Sequence, residues 1–369
     1  MTYPGQLVTI PIAINSLKLL ANEAKQVDAY IWEPESGLKG KLAGNIRIHA
    51  RDQPPYGRLR WLLLRFPWLY RLGLRLRFSF KFRYDCVFAI GQMGTYAGSL
   101  MATASRCPLV YINDEFPETS GHPPRWMSLE KQAAAKASVI VVPDESRVAP
   151  LLDQLQCEPA AIAVLPNSPL TGDDSPEIEW RSRLGIPENT SPILHAGTIH
   201  DWMQVPELLY SVRYWPEDSV LILQTPNYDP AYRRQLSHLE IEGRIIWNEA
   251  PLSEPELNSL VRFCRGSVAL YRHVDDNMFY MGYASGKIMR SLACGTPVIT
   301  SNFPSLNFVS ANSLGFQVAH PSEIPDTVSM LLAKREELSR ECLRYFEEHC
   351  RFEDGWTRVM DSLDPAPPR

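Results

Sequence analysis

Four times between Pro192 and Cys294 a short apolar run is followed by a helix-forming stretch. PILHAG (192–197) precedes VPELLYSVRYW, SVLILQTP precedes DPAYRRQLSHLE, RIIWNEA precedes the helix after Leu252, and SVALYR precedes a helix over 285–294. Runs apolar on both faces, separated by segments long enough to cross over, predict a parallel sheet covered by helices. The first half repeats the rhythm, with strands expected at 7–12, 27–32, 46–50, 86–90 and 108–112, helices over 14–26 and 97–105, and the pair WMSLEKQAAAKAS (126–138) and VIVVP. A chain of 369 residues has room for two such domains, each with its own core. The proline-flanked run from Pro166 to Pro176 reads as the linker, which gives an α/β protein with domains over 1–168 and 169–351.

The most informative stretch is GYASGKIMRSLACGTPVITS (282–301). Ser285 reads as an N-cap, Gly295 as the helix stop and Val298 with Ile299 as the next strand. Helical spacing places Lys287, Arg290, Ser291 and Cys294 on one face, expected to look outward, and Ile288, Met289, Leu292 and Ala293 on the other. A cation in the first turn is locally unfavourable, because that end already carries partial positive charge and free N–H groups. A bound anion reverses the sign, and Ser285, Gly286 and Lys287 together then make a phosphate cradle. The same residues also suit an ordinary solvated helix.

The ending Leu292, Ala293, Cys294, Gly295, Thr296, Pro297, Val298, Ile299 resembles the donor-binding segment of GT-B glycosyltransferases, which use nucleotide sugars. The resemblance covers the C-terminal half and, more weakly, the N-terminal half, where VVP and LPNSP resemble the close of the first GT-B domain. It implies two Rossmann-like domains facing a central cleft, an N-terminal acceptor domain, a C-terminal donor domain, and a last helix (352–369) that packs back on the first domain. It also implies a nucleoside-diphosphate sugar as donor substrate, with no cofactor and no metal.

Within that family a Glu often grips the donor ribose and a second Glu precedes it; the matching positions here are Arg290 and Gly282, so both acids are missing. The glycine turn of the family, matched by Gly197 and Thr198, is often followed by phosphate-binding cations, which His200 and its neighbours do not supply. Under the resemblance Lys287 and Arg290 take over the diphosphate, Thr198 and His200 add hydrogen bonds, and Asn248 lies where backbone meets the nucleotide base. A catalytically inactive binding module and a sugar-nucleotide epimerase are the alternatives.

Acids at the end of a parallel strand stand where ligands bind. Asp114 and Glu115 follow PLVYI (108–112) and are the candidates to take a proton from an acceptor hydroxyl, although either also suits a helix cap.

Between Tyr56 and Tyr84 lie eight Lys or Arg and no acid, interleaved with Trp61, Phe66, Trp68, Phe78 and Phe80. That mixture, over 57–83, fits either an anionic membrane surface or a core segment with snorkelling arginines. The net charge of −5 argues against nucleic acid as partner. Seven scattered cysteines without a C-x-x-C pair suit a reducing compartment, and the apolar start LVTIPIAI is too short to span a bilayer. The expectation is therefore a cytoplasmic protein, peripheral on the inner membrane face, acting on a saccharide or lipid-linked acceptor in cell-surface polysaccharide or glycolipid synthesis.

Overall fold

Strands such as VFAI, LVYI, VIVV and SVLILQ are buried at every position. Such strands must be covered on both faces, and crossover helices do this. A computed structural model describes residues 1–3, 11–31, 42–50, 66, 83–117, 124–172 and 175–363. The chain divides into two units, Met1–Asn167 with Phe352–Arg369, and Ser168–Arg351.

In the first unit the strands are β1 (Thr2–Tyr3), β2 (Val27–Ile31), β3 (Ile46–Ala50), β4 (Val87–Ile90), β5 (Leu109–Ile112), β6 (Val139–Val142) and β7 (Ile162–Val164). They form one parallel sheet in the order β3-β2-β1-β4-β5-β6-β7. The strand expected at 7–12 is not found at its end: Pro11 opens a helix, Pro11–Glu23, and residues 7–10 lie outside the described residues. Proline suits a first helical turn, where its missing N–H costs nothing, and Thr2–Tyr3 supplies the sheet instead.

The second unit holds β8 (Ser191–Ala196), β9 (Ser219–Gln224), β10 (Ile245–Asn248), β11 (Gly266–Ala269), β12 (Val298–Ser301) and β13 (Gly315–Val318), ordered β10-β9-β8-β11-β12-β13 and parallel throughout. β13 has only four residues behind a Ser313 turn, and its sequence gives little signal. Ser253 and Glu256 form the expected capping box, and Ser285 caps the Gly286–Ala293 helix, which ends at Gly295 with φ +65°.

The last helix, implied over 352–369, starts after a break at Arg351 and spans Phe352–Asp361. Gly355 sits inside it because the helix presses on β7's exit: a Cβ there would come within 2.9 Å of Leu165 Cδ1. Trp356 stacks on Phe88 at 5.3 Å and its indole donates to Glu23 Oε1 at 2.7 Å, which ties this helix to the first unit.

Candidate functional site

From β8 the second unit's chain runs outward through β9 to β10, then returns to the other side of β8 with β11. Connections leaving β8 and β11 diverge, and the crevice opened beyond their carboxyl ends is where a parallel sheet receives a ligand. Gly197 follows β8 and the Gly286–Ala293 helix lies beyond β11.

Gly197 has φ +119°, a conformation that favours glycine, and a Cβ built there would lie 3.7 Å from both Cε and Nζ of Lys287. The ammonium is also 3.9 Å from Met203 Sδ and 5.5 Å from the Tyr271 ring centroid. Among the described residues no carboxylate lies within ion-pair distance of it. Burial without a counter-charge pulls the Lys287 pKa down to about 8. An anion placed here would meet the cation, the open glycine turn and the first-turn N–H groups together.

Ser285 spends its hydroxyl within the protein. Its Oγ accepts the Ile288 N–H at 3.4 Å and shares a hydrogen bond with the Tyr271 hydroxyl at 2.8 Å. Gly286 is partly exposed beside it. Thr198 Oγ1 donates to Met203 Sδ at 3.8 Å, and exposed His200 stacks on Trp202 at 5.5 Å. Asn248, at the end of β10, donates its amide to Gln224, whose own amide donates to the Ala250 carbonyl at 3.0 Å.

The helix does not present Lys287 and Arg290 on one outward face. Arg290 is buried and reaches the Glu254–Phe263 helix, where it pairs with Glu254 at 3.1 Å and donates to Asn258; Ser291 and Cys294 are buried as well. The neighbouring helix covers the stripe that spacing assigned to solvent.

Two residues of this region were not anticipated. His195 lies inside β8 with no exposure, its Nε2 3.5 Å from the Thr198 carbonyl. Burial and then Lys287 pull its pKa down to about 3. Tyr271 lies beyond β11, buried, underneath Lys287. Both sit in apolar strand runs, where a lone polar side chain reads as core.

In the first unit Asp114 and Glu115 follow β5. Gly91 opens the Gly91–Ser105 helix with φ +66°, and a Cβ there would be 3.2 Å from Asp114 Oδ1, so this carboxyl lies against a helix N-terminus. That end favours a carboxylate, yet burial and repulsion from Glu115 push Asp114 up to about 7. Glu115 is exposed, and its N–H donates to Asp114 Oδ1 at 3.1 Å. Arg147, 1% exposed, donates to the Asp114 carbonyl at 3.1 Å and stands 4.6 Å over the Phe116 ring.

Below this turn the buried Glu130 accepts from Gln92 at 2.7 Å and Tyr111 at 2.5 Å, while Asn113 donates to the Tyr111 oxygen and the Glu115 carbonyl. Burial pushes Glu130 up to about 7. Sequence spacing missed Glu130 and Arg147 because each reads as an ordinary charge on a helix.

The segment 57–83 lies outside the described residues except at 66 and 83. Among the described residues no helix is long and apolar enough to cross a membrane.

No family model matches the chain, and no curated protein sequence matches it. Solved structures do. HepE from Anabaena in complex with UDP-glucose superposes with a TM-score of 0.73 at 14% identity, covering 98% of this chain and 97% of that one. Sucrose-phosphate synthase from Thermosynechococcus elongatus gives 0.72 at 14%, covering 95% and 91%. WaaG, a glycosyltransferase involved in lipopolysaccharide biosynthesis, gives 0.70 at 13%, covering 99% and 97%. With its two parallel sheets, each flanked by crossover helices, the chain has the GT-B fold of two Rossmann-like domains.

Proposed function

We propose that the protein is a glycosyltransferase that moves a sugar from a nucleoside-diphosphate sugar to an acceptor hydroxyl. The observation that carries this reading is the Lys287 ammonium, partly desolvated, without a carboxylate among the described residues, against the bare backbone of Gly197. Transfer leaves negative charge on the departing diphosphate, and a cation aimed at that charge lowers the barrier. Lys287 supplies it, with the first-turn N–H groups of Gly286 and Lys287, the Thr198 turn and His200 adding hydrogen bonds; Asn248 meets the base through backbone. Arg290, held by Glu254, reaches the diphosphate only by giving up that pair.

Asp114 takes the proton of the acceptor hydroxyl, with Glu115 beside it. A carboxyl pushed to about 7 is half ionised near neutrality and a matched base for this work. HepE with UDP-glucose and WaaG in lipopolysaccharide synthesis support the same class of donor and a cell-surface saccharide or glycolipid as product. The protein works in the cytoplasm, peripherally on the inner membrane face, where 57–83 meets anionic lipid.

Calorimetric titration with UDP, GDP, ADP and dTDP tests the reading. One nucleotide binds selectively, and Lys287→Ala weakens it by about 1 to 3 kcal/mol. Binding by none of them moves the protein to a non-catalytic module; sugar interconversion with no acceptor present moves it to an epimerase.

A further inference from the structure

A groove of about 860 Å³ lies on the second unit between three helical segments: Val205–Ser211 with its Val212–Tyr214 continuation, Pro230–Gln235 with Ser237–Leu239, and the start of Ile324–Ala333. Tyr210, Tyr214 and Tyr232 line it, with Pro206, Pro321 and Pro325. Tyr214 is 61% exposed and Tyr210 47%. The Arg213 guanidinium covers one face of Tyr210 at 4.0 Å, so Tyr214 offers the more open ring. Large aromatic surface left in water on one stretch of helix marks a binding surface.

Polar groups stand beside these rings. Asp201, Glu207 and Asp326 line the groove, and no Lys or Arg is among its described lining residues. Asp201 is held by the Tyr232 hydroxyl at 2.8 Å and Glu207 by Arg272, which fixes two acceptors in place. Glu207 Oε2 is buried and, among the described residues, has no hydrogen-bond partner. With Arg272 taken by Glu207 and Arg213 seated on Tyr210, this acidic lining disfavours phosphates, nucleotides and acidic glycans. Flat rings bordered by fixed acceptors match a pyranose, which has an apolar C–H face and a rim of hydroxyl donors.

A second cavity, of about 410 Å³, opens beyond the ends of β11, β12 and β13. His320 and Pro321 line both cavities, and Tyr271 lines the smaller one.

We propose that this groove is a binding site for a neutral oligosaccharide, separate from the nucleotide site.

The test is a glycan array of neutral and acidic oligosaccharides of defined length, probed with the full chain and four variants. Expected is binding of a neutral oligosaccharide that survives Lys287→Ala, persists in Tyr214→Phe, and weakens about tenfold in Tyr214→Ala and in Asp326→Ala. Tyr214 and Asp326 are exposed, so neither change endangers the fold. Retention of acidic glycans only, of no glycan, or of a neutral one equally by Tyr214→Ala overturns the proposal. The nucleotide titration above is indifferent to all these results, so the groove and the donor site can fail separately.

Discussion

The Lys287 ammonium lies 3.7 Å from the point that a Cβ at Gly197 would occupy. Two residues far apart in sequence thus form one surface, and either can be changed to test it. Gly197→Ala introduces a side chain at φ +119° and should cost about 1 to 3 kcal/mol of stability. It should also weaken nucleotide binding, because the methyl narrows the approach to Nζ. Denaturant unfolding and calorimetry on the same variant check both effects; unchanged affinity means that the anion does not enter over Gly197.

Lys287 should be a cost to the empty protein. Its folded pKa of about 8 lies below the unfolded value of 10.5, so the unfolded chain binds more protons between them and stability rises with pH across that window. Lys287→Met removes the penalty and should raise the melting temperature at pH 7, with the advantage shrinking toward pH 10.5. A melting temperature lowered at pH 7 would mean that the ammonium already has a stabilising partner.

Arg290 behaves oppositely. Its guanidinium joins Glu254 and Asn258, so Arg290→Ala should lose about 1 to 2 kcal/mol of folding stability and leave nucleotide affinity nearly unchanged. Paired unfolding and binding curves separate the two. A large loss of affinity at full stability would return Arg290 to the diphosphate.

Asp114 should govern the pH dependence of transfer. If it accepts the proton, kcat/KM rises with pH through a midpoint near 7, and Asp114→Asn reduces turnover by a factor of about 10² to 10⁴. The stability sign is the reverse. A folded pKa above the unfolded 3.8 means that stability present at low pH is lost as pH rises through 7, and Asp114→Asn should remove that loss. Activity in the variant near that of the parent would assign the base to another residue.

Much of the scaffold follows from local rules. Apolar runs buried on every residue, the Ser253 and Glu256 capping box and the Ser285 cap depend on neighbours a few positions away, and these were readable directly. What failed depended on packing between distant segments. Lys287 and Arg290 have the same helical spacing to any reader of sequence, yet the Glu254–Phe263 helix takes one and leaves the other at the glycine turn. His195 and Glu130 became visible only once their surroundings were assembled, because a buried polar group is defined by what encloses it. Gly355 inside the last helix is a contact point of the same kind, its missing side chain making room for Leu165.

The final helix has a consequence for the order of assembly. Phe352–Asp361 completes the first unit, but the ribosome reaches it only after the whole of Ser168–Arg351 has been made. Phe88 and Glu23 therefore wait for Trp356 through the synthesis of an entire intervening unit. The nascent first unit spends that interval with an apolar face uncovered, and chaperone capture during translation should concentrate there.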